Sequence, residues 1–298
     1  MINWDVKESA SVERRSWISL RLLWVIPAVT VLIPFIALLA IPVALFTFGI
    51  REQDWASLLV SYCLIMLGTT LGYHRTLAHR SLALSPIVRY PLFALGAMAG
   101  QGPPSFWVAH HRAHHGDSDG PRDPHSPLGY GRSGFPRLRG FLHAHVGWMF
   151  GQGGRYDGRL VRELRRDPAA RCTEDNYFLL TIAGLLLPAC VVLCFDPSVA
   201  GFLKSVYWAG LVRVAVSHQT TWLVNSACHL WGYRNFDTAD SSRNNWIVAA
   251  LTLGEGWHNN HHAEPSRVRH GLRWWELDPT YALARFFEAV GLARDMRR

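Results

Sequence analysis

Residues 22–48, LLWVIPAVTVLIPFIALLAIPVALFTF, form an essentially uncharged run long enough to cross a bilayer with residues to spare. No other feature restricts the fold as much, because backbone immersed in hydrocarbon must satisfy its own polar groups. Pro27, Pro34 and Pro42 interrupt the run, so one tilted or kinked span, or a hairpin, is expected. After the polar turn Arg51–Asp54, residues 55–73 read as a second span, 177–195 as a third and 199–224 as a fourth. Lys204, Arg213 and His218 fall inside the last run, where charged groups are expected to face protein interior or sit near an end. Pro86–Gln101 is shorter and broken by Arg89, Pro91 and glycines, and is expected to lie in the interface rather than cross.

The expected architecture is a single domain over 1–298, an all-α integral membrane protein with about four transmembrane helices. The polar regions 74–176 and 225–298 then form one histidine-rich helical cap. Four crossings put both termini and both polar regions on one side. Arg-rich segments at 14–21, 132–171 and 267–298 mark that side as cytoplasmic. The N-terminal MINWDVKESASVERRSW is too long and polar for a signal n-region, so the first run is expected to stay as an anchor. The net charge of +8 suits an anionic membrane face or an acidic headgroup, and no nucleic-acid motif accompanies it. The basic stretch Arg155–Arg171 is either a solvated face or a contact for lipid phosphate or an acyl carrier. The five cysteines form no CxxC pair and read as reduced thiols.

Most of the fifteen histidines fall into tight groups: His74 and His79 in HRTLAH, His110, His111, His114 and His115 in HHRAHH, His258, His261 and His262 in HNNHH. NSACH adds Asn225 and His229. On a helix, residues three and four apart share a face, so each HxxHH set projects together, as do Asn225 and His229. His74 and His79 are five apart and converge only where a helix ends or unwinds between them. Four segments thus deliver imidazoles to one layer at the span ends, which points to metal. Nine rings exceed what one ion takes; two ions would leave positions for water, Asn225 or dioxygen. Imidazole serves iron, copper and zinc alike; the nitrogen-rich set with open positions favours redox iron, with zinc still compatible. Asp117, Asp119, Asp123, Glu255 and Glu264 are near enough in sequence to orient ring N–H groups.

These motifs, in this order, resemble the membrane fatty-acyl desaturases, and most closely their delta-9, stearoyl-CoA-desaturase-like branch. The likeness runs from about Leu71 to His270 through GYHRTLAHRS, WVAHHRAHH, DPHSP, HVGWMF, TWLVNSACHLWG and GEGWHNNHH. It implies a di-iron centre held by His74, His79, His111, His114, His115, His229, His258, His261 and His262, with Asn225 reaching one ion through water. It implies a bent acyl tunnel kinked at Gln101, Trp107 and Thr221, with Trp148 and Trp222 as further lining and Arg112 at the acyl-carrier headgroup. The activity so implied is O2-dependent insertion of a cis double bond, delta-9 in this branch, into a long-chain fatty-acyl thioester or lipid. No cytochrome b5 domain is expected after Arg298, so electrons are expected from a separate ferredoxin, rubredoxin or cytochrome b5-type donor. Two other readings compete: a related di-iron alkane or fatty-acid hydroxylase, and a histidine-rich membrane metal transporter. The transporter would carry its ionisable groups in mid-span, whereas these histidines cluster at span ends.

Overall fold

The computed structural model describes residues 19–131, 133–151 and 156–298, with side chains from residue 29 onward except 151. Of the Arg-rich segments, residues 14–18, Arg132 and Arg155 therefore lie outside the described residues. In chain order the helices are α1 (Ser19–Leu39), α2 (Ile41–Thr47), α3 (Glu52–Ala78), α4 (Pro86–Met98), α5 (Pro104–Gly116) and α6 (Gly134–Leu142). They continue with α7 (Pro168–Asp175), α8 (Tyr177–Val192), α9 (Val199–His229), α10 (Trp246–Leu251), α11 (His258–Ala263) and α12 (Pro279–Ala289). The named strands among the described residues are one short antiparallel pair, β1 (Ala83–Leu84) with β2 (Ala293–Arg294).

Helices α3 and α9, 27 and 31 residues long, are each long and apolar enough to cross a membrane. The count rises to four if each bent pair is one span: α1 with α2, turned by 50°, and α7 with α8, turned by 74°. Pro42 stands in the first turn of α2, where its missing N–H costs nothing and its ring cannot continue α1. Both long helices run past their expected ends, α3 from Tyr73 to Ala78 and α9 from Val224 to His229. Histidines therefore ride on the membrane-length helices themselves.

Helix α4 packs lengthwise on a long helix. It runs antiparallel to α3, pressed against it at glycines: a Cβ on Gly68 would stand 2.3 Å from the Gly96 nitrogen, and one on Gly72 would stand 3.1 Å from the Leu92 oxygen. It thus descends from the histidine end to the middle of α3 and stops. The chain then reverses at Gly100 (φ 69°) and Gly102 (φ 106°), conformations open to glycine. The last carbonyls of α4 are capped by side chains from α8 and α9. Thr181 Oγ1 donates to Ala97 O (3.3 Å), Arg213 Nη1 to Met98 O (3.4 Å) and His218 Nε2 to Ala99 O (2.8 Å). Reversing backbone in apolar surroundings is tolerable only with such partners. This accounts for two of the ionisable groups inside α9. Arg213 is fully buried and donates also to Ala209 O (2.8 Å) and Gly184 O (2.6 Å), a cation at a helix C-terminus where the dipole favours it.

Part of the C-terminal polar region also lies beside α3. The Tyr62 hydroxyl donates to Leu251 O (2.6 Å), and the Thr70 and Thr280 hydroxyls share a hydrogen bond of 2.9 Å. Helix α10 and the start of α12 therefore reach down to the middle turns of α3. The largest apolar core forms where the end of α3 meets α4, α5 and residues 158–166, around Leu71, Phe93, Val108 and Leu164. The cysteines of the described residues are free.

Candidate metal centre

From Gly68 to Ala78, α3 is wound as a π-helix. Each turn holds more residues than an α turn, so positions five apart come onto one face. The His79 N–H donates to His74 O (3.1 Å) across that five-residue step, and the two rings stand 4.8 Å apart. The helix unwinds to the wider π form and then ends at Ala78, just ahead of His79, and the awkward spacing becomes a match. Helix α5 starts at Pro104, a residue preorganised for the first turn, and brings in His111, His114 and His115. Helix α11 brings His258, His261 and His262; the Asn244 Oδ1 caps it by accepting from the N–H of Asn259 (3.0 Å) and Asn260 (3.2 Å). The end of α9 supplies His229.

All nine rings are brought together, in two groups. His74, His79, His111, His115 and His261 form one, and His114, His229, His258 and His262 the other, with the nitrogens of each group within 4.8 Å of one another. Each HxxHH motif is split between the groups. Helix α5 gives two rings to the first and one to the second, and α11 does the reverse.

Carboxylates fix several rings from behind. The Nδ1 of His74 contacts Glu255 (2.5 Å), that of His114 Asp123 (2.9 Å), that of His229 Asp119 (3.0 Å) and that of His262 Asp240 (2.6 Å). Burial pushes these acids up, but at Asp119, Asp123 and Asp240 the facing rings and nearby donors outweigh it and hold the carboxyls well below their usual range. Burial drives His79, His111, His115, His258 and His261 far below the usual imidazole value, and His262 to about 4, so these rings are neutral. With Nδ1–H directed at a carboxylate, Nε2 turns its lone pair inward.

The inward nitrogens face one another: Nε2 to Nε2 is 2.6 Å for His79–His111, 3.1 Å for His74–His261, 3.0 Å for His115–His261 and His229–His258, and 3.3 Å for His114–His262. Such spacings resemble the roughly 3 Å edge between adjacent nitrogens around an ion bound at about 2.1 Å. Lone pairs crowded this way repel unless a cation lies among them, so the donor set fits one metal ion per group.

Beside the rings lies a cavity of about 50 Å³, walled by Met66, Thr69, Trp107, Thr221, Asn225 and Glu255 together with His74, His111 and His258. The Gln101 amide donates to Thr221 Oγ1 (3.0 Å) and accepts from Trp107 Nε1 (3.4 Å), so Gln101, Trp107 and Thr221 meet at its edge, and Asn225 opens onto it. Trp148 and Trp222 are not among the walls of this cavity. Trp148 packs on Phe106 and His110, and Trp222 on His218 and His145. Arg112 also differs from expectation. Its guanidinium donates to Ala78 O (2.9 Å), Leu77 O (2.8 Å), Leu160 O (2.6 Å) and the Glu163 carboxylate, so it ties α5 to its neighbours.

Among the acids expected to orient rings, Asp119, Asp123 and Glu255 contact them, whereas Asp117 pairs with Arg122 and Glu264 with Arg267. Asp240 carries no motif that could have announced it. Nor do His270, which shares Glu255 with His74 at 3.3 Å, and Arg75, fully buried and ion-paired at 3.0 Å with both Glu255 and Asp278.

The sequence matches the fatty acid desaturase family model over residues 53–298. It is 38% identical over 260 residues to the palmitoyl-monogalactosyldiacylglycerol delta-7 desaturase of Arabidopsis thaliana, which covers 83% of this chain and 63% of that protein, so the chain spans less than two thirds of that relative. It is 36% identical to the acyl-CoA C20 Delta5-desaturase of Anemone leveillei, over 82% of this chain and 75% of the relative. It is likewise 36% identical to the sn-1 stearoyl-lipid 9-desaturase of Anabaena variabilis, over 85% and 89%. With its two groups of buried imidazoles beside a narrow cavity, the chain belongs to the fatty acid desaturase family, a family of oxidoreductases.

Proposed function

We propose that this chain is an O2-dependent fatty-acyl desaturase that inserts a cis double bond, at the delta-9 position, into a long-chain acyl-CoA or acyl-lipid. Two iron ions would be held by the nine histidines, one by the five-ring group and one by the four-ring group. The observation that carries the reading is the pair of imidazole groups with inward lone pairs at the wall of the cavity edged by Gln101, Trp107 and Thr221. The reaction converts CH2–CH2, O2, two electrons and two protons into CH=CH and two waters. No acid, base or nucleophile in a side chain removes hydrogen from an unactivated methylene, and the iron pair supplies that redox chemistry when bound.

The chain's own residues bind, position and exclude. Glu255, Asp119, Asp123 and Asp240 hold four rings in one tautomer and one orientation. The Gln101–Thr221 hydrogen bond and the Trp107 ring set a bend that presents one carbon pair to the rings, so that orientation selects the position of attack. Asn225, on the cavity wall, would reach one ion through water. Apolar walls keep bulk water out. Four spans, with both termini and a single-domain cap on the cytoplasmic side, place the cavity where acyl chains partition. Electrons come from a separate ferredoxin, rubredoxin or cytochrome b5-type protein.

The three relatives act, by name, at different positions and on different carriers, so product analysis decides. Expression with a reductase system in a host without desaturases, followed by mass spectrometry of acyl chains, is expected to show new delta-9 cis-monoenes. Hydroxylated chains would select the oxygenase reading, and unchanged chains would overturn both.

A further inference from the structure

Because α4 stops at Met98, the room between α3 and α8 is filled on the histidine side only. A Cβ on Gly184 of α8 would stand 2.8 Å from the Met98 Cβ, which fixes the tip of α4 against α8 at that level. Beyond the tip, away from the histidines, is a cavity of about 500 Å³. Val60 and Leu64 of α3, Leu187 and Val191 of α8, Met98 and Arg213 line it, with Gln53 at its far end. Val60, Leu64, Leu187 and Val191 keep 61%, 44%, 49% and 58% of their surface exposed, so the slot is continuous with the lipid-facing sides of both helices.

The surrounding medium identifies the occupant. Hydrocarbon is the solvent at this depth, and an empty slot would forfeit the dispersion contacts of all its walls. From Gln53 to Ile65 the lining face of α3 runs roughly 18 Å at 1.5 Å per residue. That is close to the roughly 15 Å of one leaflet's hydrocarbon. A chain entering at Gln53 would therefore end against Met98, with its headgroup left at the membrane surface. The geometry points to a binding site for one acyl chain of a phospholipid, drawn from the leaflet farther from the histidines. This inference rests on the four-span reading. Ile65 lines this slot and Met66 the cavity beside the histidines, so α3 separates the two, and the bound chain is distinct from the substrate chain. By filling the space behind Met98 it would brace the reversal that carries Gln101.

The test uses the full-length, metal-loaded protein in nanodiscs of a phospholipid with a diazirine on one acyl chain. Labelling is expected to be several-fold higher at Val60–Leu64 and Leu187–Val191 than at the exposed controls Ile36 and Leu203. Native mass spectrometry should find one phospholipid retained per chain. Filling the slot with Val60→Trp and Leu187→Trp should abolish both signals without changing metal content. Equal labelling of slot and controls overturns the site, as does a cross-link between two copies through the slot. So does a filled variant that labels as before; if that variant does not fold, the wild-type labelling ratio decides alone. Controls that stay unlabelled as well would instead bring down the four-span reading.

Discussion

The two imidazole groups share two helices and differ in what holds them. The five-ring group takes His74 and His79 from the π-wound end of α3, and among the described residues only one of its rings, His74, contacts a carboxylate. The four-ring group draws carboxylates to three of its rings, from residues 119, 123 and 240 in the connecting loops. Helices carry the rings of both groups, but the second is oriented in addition by carboxylates from loops. A rigid helix fixes several rings at once, whereas a loop needs a charged hydrogen bond for each ring it orients. Asp119 shows this directly. It sits at φ 60°, outside the usual region for its type, while accepting from His229, Ser126 and Ser241.

The largest effects should come from removing rings. His261→Ala and His258→Ala, one in each group, are each expected to lower desaturation by more than about 100-fold. Each should also lower bound iron from two ions per chain toward one, by metal analysis of the purified protein. Loss of both ions from either variant would show that the groups are not separate sites. Next come the carboxylates, where metal retention against a chelator should weaken about 10- to 100-fold. Glu255→Gln should fall near the upper limit, because among the described residues no second acid contacts the five-ring group, and Asp240→Asn near the lower, because Asp119 and Asp123 remain. The reverse order would break the contrast. Gly68→Ala tests helix geometry: its methyl would meet the backbone of α4 at 2.3 Å, so destabilisation of about 1–3 kcal/mol is expected in thermal unfolding. Iron loss from the variant should come first from the five-ring group.

Much of this was legible in the sequence, for identifiable reasons. The apolar runs and the spacing within each HxxHH show directly in residue order, since both rest on local periodicity. The five-residue step between His74 and His79 already called for a departure from the α-helix; that it takes the form of π winding shows only in the fold. What stayed hidden was set by distant partners. Nothing in Pro86–Gln101 announces that Thr181, Arg213 and His218 cap its end from two other helices. Asp240 stands in an ordinary polar loop, and only the fold brings it to His262.

Arg112 gives the smallest expected effect and separates two readings of one side chain. As a headgroup contact, its loss of Glu163 would alter substrate affinity. As a tie between segments, it keeps three backbone carbonyls when that acid goes. Burial pushes the Glu163 carboxyl up, but Arg112 and Arg80 bring it down to about 2 from a reference of 4.5. Since the folded value is depressed, the pairing contributes fully above about pH 4.5 and fades as pH falls toward 2. Glu163 is 36% exposed, so solvent screening limits the contribution to less than about 1 kcal/mol. Glu163→Gln is therefore expected to lower unfolding stability by that small amount at neutral pH, with the difference from wild type closing near pH 2 and KM unchanged. A raised KM with unaltered stability would return Arg112 to the headgroup.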